Sequence, residues 1–104
     1  MASFYWCDLT KEGEMGEVKI EQKSREELEK MGVFNWPIWE KEASRFSWHY
    51  DTDEMCYILQ GRVIVETDDG KSYEIKKGDF VTFPSDLDCV WDIKEDIRKH
   101  YSFS

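Results

Sequence analysis

Hydrophobic and polar residues alternate along most of this chain with a period of two, the pattern of strands that bury one face. "EVKIEQK" (17–23) sets Val18 and Ile20 between charged neighbours, which predicts a half-buried strand. "NWPIWEKEASRFSWHY" (35–50) is aromatic-rich and carries Pro37, which cannot donate to a ladder and so marks a strand entry or an edge. "EMCYILQG" (54–61) and "RVIVETDDGKSYEI" (62–75) follow, the latter with Asp69-Gly70 placed for a tight hairpin turn. "GDFVTFP" (78–84), "DCVWDI" (88–93) and "RKHYSF" (98–103) add three more short apolar runs. Helical spacing occurs once, in "SREELEKMG" (24–32). Ser24 and Glu27 form a capping box, Leu28 and Met31 share a face, and Gly32 is a natural stop. Short strands with regular turns and one short N-terminal helix predict an all-β sandwich or barrel.

At 104 residues the chain holds one domain and one core. That domain is expected over 17–104, with 1–16 an N-terminal segment expected to be flexible. Five Trp, five Tyr and six Phe supply much of the buried area. The formal net charge of -9 repels phosphate backbones and anionic headgroups, so neither nucleic acid nor membrane is an expected partner. Three cysteines, Cys7, Cys56 and Cys89, cannot all pair within one chain, which points to reduced thiols and a cytoplasmic location.

Two stretches carry a family resemblance. A cupin's first motif runs His, any residue, His, three or four residues, Glu, six residues, Gly. Glu54 and Gly61 fit its second half, and with the four-residue gap His49 and Ser47 fall on the two histidine positions. The second motif runs Gly, five residues, Pro, one, Gly, two, His. Gly78 and Pro84 fit, whereas Asp86 stands for the glycine and Cys89 for the histidine. The chain therefore resembles the cupins, small jelly-roll β-barrels of the RmlC-like type. "NWPIWEKEASRFSWHYDTDEMCYILQGRVIVE", "KKGDFVTFPSDLDCVWDI" and "IRKHY" look like the compact single-domain cupins of the ureidoglycine aminohydrolase-like group. The resemblance implies a homodimer and a pocket inside the barrel for a small-molecule ligand.

Ser47, His49, Glu54, Cys56, Cys89 and Trp91 are the expected pocket residues. Cys56 shares the strand face of Glu54, and Trp91 that of Cys89. The leading reading is a pocket for a small polar metabolite with a degenerate metal site; the alternative is a metal-dependent enzyme, a hydrolase or oxygenase, in which His49, Glu54 and Cys89 hold a divalent Zn, Fe or Mn ion. A carboxylate facing the interior must be neutralised, by a metal, by His49, by hydroxyl groups or by water. A Glu54–His49 pair would be an acid/base dyad, the candidate catalytic pair. Trp36, Trp39, Trp48, Tyr50 and Tyr57 are expected either in the core and dimer contacts or around an aromatic-lined cavity. The third reading is a dimeric scaffold without catalysis.

Overall fold

The computed structural model describes residues 18–103, so the expected N-terminal segment lies outside them. The capping box forms as its residues predict: Ser24 Oγ accepts from the Glu27 N–H at 3.1 Å, and the Glu27 carboxylate accepts from the Ser24 N–H at 3.0 Å. Helix α1 (Arg25–Met31) follows and stops at Gly32, whose φ of 78° is left-handed and suits a glycine. Leu28 of α1, Val33 and Phe80 form a small cluster, with Phe34, Trp36 and Tyr57 packed against it.

Seven strands follow in chain order: β1 (Lys19–Glu21), β2 (Ile38–Lys41), β3 (Arg45–Tyr50), β4 (Glu54–Thr67), β5 (Ser72–Lys76), β6 (Phe80–Phe83) and β7 (Leu87–Phe103). All pair antiparallel in one sheet of order β1-β6-β4-β7-β2, with β3 added to β7 and β5 to β4. Strand β7 carries β3 along its first half and β2 along its second, while β4 runs down its other edge. Buried side chains of β3 to β7, among them Tyr50, Ile58, Val65, Ile75, Phe83 and Trp91, make one core, and Trp39 of β2 packs against it. One sheet can deliver the same face of so many strands to a single core only by curling around it, which is the jelly-roll arrangement.

Two strand boundaries differ from the pattern in the sequence. Gly61 reads as a strand end, yet β4 runs through it to Thr67 with register shifts against β7 between Ile58 and Val63. Its φ is 96°, and a Cβ there would lie 2.1 Å from the Asp96 carbonyl oxygen. Here glycine permits a bulge and close backbone approach, so a bent strand continues where two were expected. Likewise 88–93 and 98–103 are parts of the single strand β7.

Candidate functional site: an aromatic cavity over a buried ion pair

Strand parity on β3 decides what faces inward. Tyr50 pairs with Leu87, Trp48 with Cys89 and Phe46 with Trp91, whereas His49 pairs with Asp88 and Ser47 with Val90. Cross-strand partners share a face, and Tyr50, Leu87, Cys89 and Trp91 are buried in the core. The even-numbered residues of β3 therefore line the interior, and Ser47 and His49 are exposed. The four-residue gap placed Ser47 and His49 at the histidine positions; the three-residue gap that the same motif allows puts Trp48 and Tyr50 there instead. Ser47 and His49 therefore lie apart from Glu54 and Trp91, and with Asp88 and Cys89 they line a separate, open groove.

The interior contains a cavity of about 220 Å³. Seven aromatic side chains wall it: Trp39, Phe46, Trp48, Tyr50, Trp91, Tyr101 and Phe103. Its two charged lining residues are Glu54 and Lys99. Lys99 Nζ donates to Glu54 Oε2 at 3.0 Å, with side-chain exposures of 6% and 3%. The ammonium also lies 4.6 Å from the Trp91 ring centroid and 5.0 Å from that of Trp39, so two indole faces stabilise its charge. The walls brace one another: Trp91 stacks on Phe46 at 6.3 Å and meets Trp39 edge-on at 5.9 Å, and Tyr50 stacks on Phe83 at 4.8 Å. Trp48 and Phe103 are about half exposed and form the rim.

Electrostatics follow from burial. Burial first, then the charge of Glu54, hold the Tyr50 hydroxyl protonated far above the ordinary tyrosine range. Burial pushes the Cys56 thiol up to about 12 against the opposing pull of Lys99. It raises Cys89 to about 11, outweighing the neighbouring Trp91 indole. Both cysteines are free, buried and packed in the core, where a thiol acts as a small apolar filler and is a poor source of thiolate. His49 is on the outside: its Nδ1 lies 2.7 Å from Asp88 Oδ1 and its Nε2 3.4 Å from Asp51 Oδ1. The hydrogen bond to Asp88, with the charges of Asp88, Asp51 and Asp86, raises its pKa.

These positions separate the expected metal ligands. Glu54 faces the cavity and is bound to an ammonium, His49 points outward to aspartates, and Cys89 is a protonated thiol donating to the Trp48 carbonyl at 3.6 Å. Among the described residues no group of three His, Cys, Asp or Glu side chains converges as a metal centre. A divalent cation beside Glu54 would have to meet the Lys99 ammonium, and the histidine positions hold an indole and a phenol. The donor set does not fit the metal that cupins commonly bind. Nor does the expected dyad form: Glu54 is paired with Lys99, and His49 with Asp88.

Lys99 is the charged cavity residue that the sequence pattern left unmarked. Its signal was present in the parity of "IRKHY": Ile97, Lys99 and Tyr101 alternate in step with Trp91 and Ile93, which places a lysine on the apolar face. Of the expected aromatics, Trp39, Trp48 and Tyr50 line the cavity, while Trp36 and Tyr57 pack under α1. His100 is structural, its Nδ1 2.9 Å from the Trp36 carbonyl oxygen.

A curled antiparallel sheet with a cavity inside its core makes this a small cupin. The chain belongs to the EutQ-like cupin domain family, whose pattern matches residues 28–101. It is similar to a DUF861 family protein from Thermotoga maritima at 57% identity, covering 85% of this chain and all of that one, with a TM-score of 0.83. The Clostridium difficile EutQ protein aligns at 20% identity over 62% of this chain and 50% of its own, with a TM-score of 0.57. An RmlC-like cupin from Shewanella frigidimarina aligns at 15% identity over 64% of this chain and 65% of its own, with a TM-score of 0.51. The last two likenesses concern the fold alone. No curated protein matches the chain.

Proposed function

We propose that this cupin binds a small single-ring organic metabolite in the aromatic cavity, with a polar group directed at Glu54 and Lys99. The observation that carries the reading is a buried ion pair at the wall of a cavity that the surrounding aromatic side chains leave unfilled. A concave, mostly apolar recess with a few convergent polar groups is the form that small-molecule sites take. An apolar cavity of about 150 Å³ accommodates benzene, so about 220 Å³ suits one ring with a short substituent. Ring-on-ring contacts with Trp39, Phe46 and Trp91 would hold such a ligand, and the rim residues Trp48 and Phe103 would cover it.

Thermal denaturation with benzyl alcohol, benzamide and benzoate tests this reading. At about a hundredfold the dissociation constant a ligand stabilises by roughly 2.7 kcal/mol, a readily measured rise in Tm. If none of the three raises Tm or alters tryptophan fluorescence, the scaffold reading replaces this one.

The free buried cysteines support a cytoplasmic location. The motif stretches support a place in the ureidoglycine aminohydrolase-like group. Half-exposed Ile38, Trp48 and Phe103 support a homodimer, which light scattering would test.

A further inference from the structure

We propose that Lys99 is a nucleophile that captures a small aromatic aldehyde or ketone in this cavity as a protonated imine. The proposal rests on the cavity being a ligand site and adds a covalent step. A primary amine that forms imines needs an apolar surround, a carbonyl carbon held against it and a nearby group that takes and returns protons. Around Lys99 are aromatic walls on two sides at 4.6 and 5.0 Å, Glu54 Oε2 at 3.0 Å, and a cavity with room to hold the carbonyl of a one-ring ligand. Arginine would serve a purely structural pair as well and would pair with the carboxylate bidentately, yet a primary amine stands here.

The step balances without any oxidant or reductant. Lys99 passes one proton to Glu54 along their 3.0 Å hydrogen bond. The amine lone pair attacks the carbonyl carbon, the C–N bond forms, and the carbonyl π electrons go to oxygen, which takes the proton from Glu54. The nitrogen then returns a proton to Glu54. Glu54 delivers it to the hydroxyl group, the C–O bond breaks, water leaves, and the nitrogen lone pair completes a C=N bond. The product iminium retains the positive charge opposite the Glu54 carboxylate, so the buried charge balance is unchanged.

Benzaldehyde with sodium cyanoborohydride tests the proposal on the full chain, because reduction fixes an imine as a stable benzylamine. Peptide mass mapping should find Lys99 modified about tenfold faster than the surface lysines, since the cavity holds the carbonyl against it. Excess benzyl alcohol, which occupies the cavity without reacting, should abolish labelling at Lys99 and leave the surface lysines unaffected. Glu54→Gln should slow capture at Lys99 about 100-fold, and Lys99→Arg should remove it. The benzyl alcohol competition uses the unaltered protein, so it decides the matter even where a variant does not fold. If benzyl alcohol raises Tm but Lys99 labels no faster than surface lysines, the covalent step is overturned and the binding reading stands. If neither thermal stabilisation nor selective labelling occurs, both fail.

Discussion

Lys99 Nζ sits 3.0 Å from Glu54 Oε2, and the two side chains are among the least exposed charged groups in the described domain. The pair joins the first residue of β4 to the last third of β7, with the two strands hydrogen-bonded alongside. Taking one member away leaves an uncompensated charge among aromatic rings.

Lys99→Met and Glu54→Gln should each therefore destabilise the protein by about 3–5 kcal/mol in urea or guanidinium unfolding. For a domain of this size that is a fall in Tm of roughly 12 °C or more. The double variant Glu54→Leu/Lys99→Met should lie much closer to the parent, because replacing both charges removes the desolvation cost as well as the attraction. A double variant as unstable as the sum of the singles would show that the pair is not the source of the effect.

The fold was legible because alternation, turns and the capping box each depend on a few neighbouring residues. Ser24, Glu27, Gly32 and Asp69-Gly70 all act where their local chemistry places them. The site was harder to read because it depends on parity. A one-residue change in the gap before Glu54 exchanges His49 and Ser47 for Tyr50 and Trp48, turning each face of β3 over. Glu54 and Trp91 line the cavity, and both belong to runs with clear alternation. Lys99 was hidden for a different reason: a lysine among Arg98 and His100 looks like surface charge until β7 is known to continue unbroken from Leu87.

The surface placement of His49 has a pH signature. Its hydrogen bond to Asp88 raises its folded pKa above the ordinary histidine value. The resulting stabilisation is fully present below the unfolded pKa near ~6.5 and is lost as pH rises through the folded value. An NMR titration of His49 should give a midpoint above that of an unstructured histidine, and Asp88→Asn should lower it. His49→Gln should cost stability at pH 5 and none at pH 9. Equal cost at both would mean that the imidazole contributes by packing rather than by charge.

Gly61 and Gly70 separate close packing from backbone conformation. Both have positive φ, 96° and 89°, but an added Cβ at Gly70 meets nothing within 4 Å whereas at Gly61 it lies 2.1 Å from the Asp96 oxygen. Gly70→Ala should cost about 1–2 kcal/mol, the left-handed penalty for a side chain. Gly61→Ala carries that penalty and must also force β4 away from β7. It should unfold at clearly lower denaturant or fail to fold, and comparable midpoints for the two variants would argue against the bulge.

Inserted histidines test the parity of β3 directly. Ser47→His with Cys89→His should gain no stoichiometric divalent ion, because position 47 faces outward while 89 faces the core. Trp48→His, Tyr50→His and Cys89→His, combined with Lys99→Met, put three imidazoles on the core-facing side of β3 and β7, two of them at the wall of the Glu54 cavity, and remove the competing ammonium. Three imidazoles and a carboxylate form a donor set that binds zinc. Dialysis against zinc followed by elemental analysis should give about one ion per folded chain for this variant and only a trace for the first. Metal bound by the first variant at a similar ratio would mean that position 47 reaches the interior, and the inward assignment of Trp48 and Tyr50 would have to be abandoned.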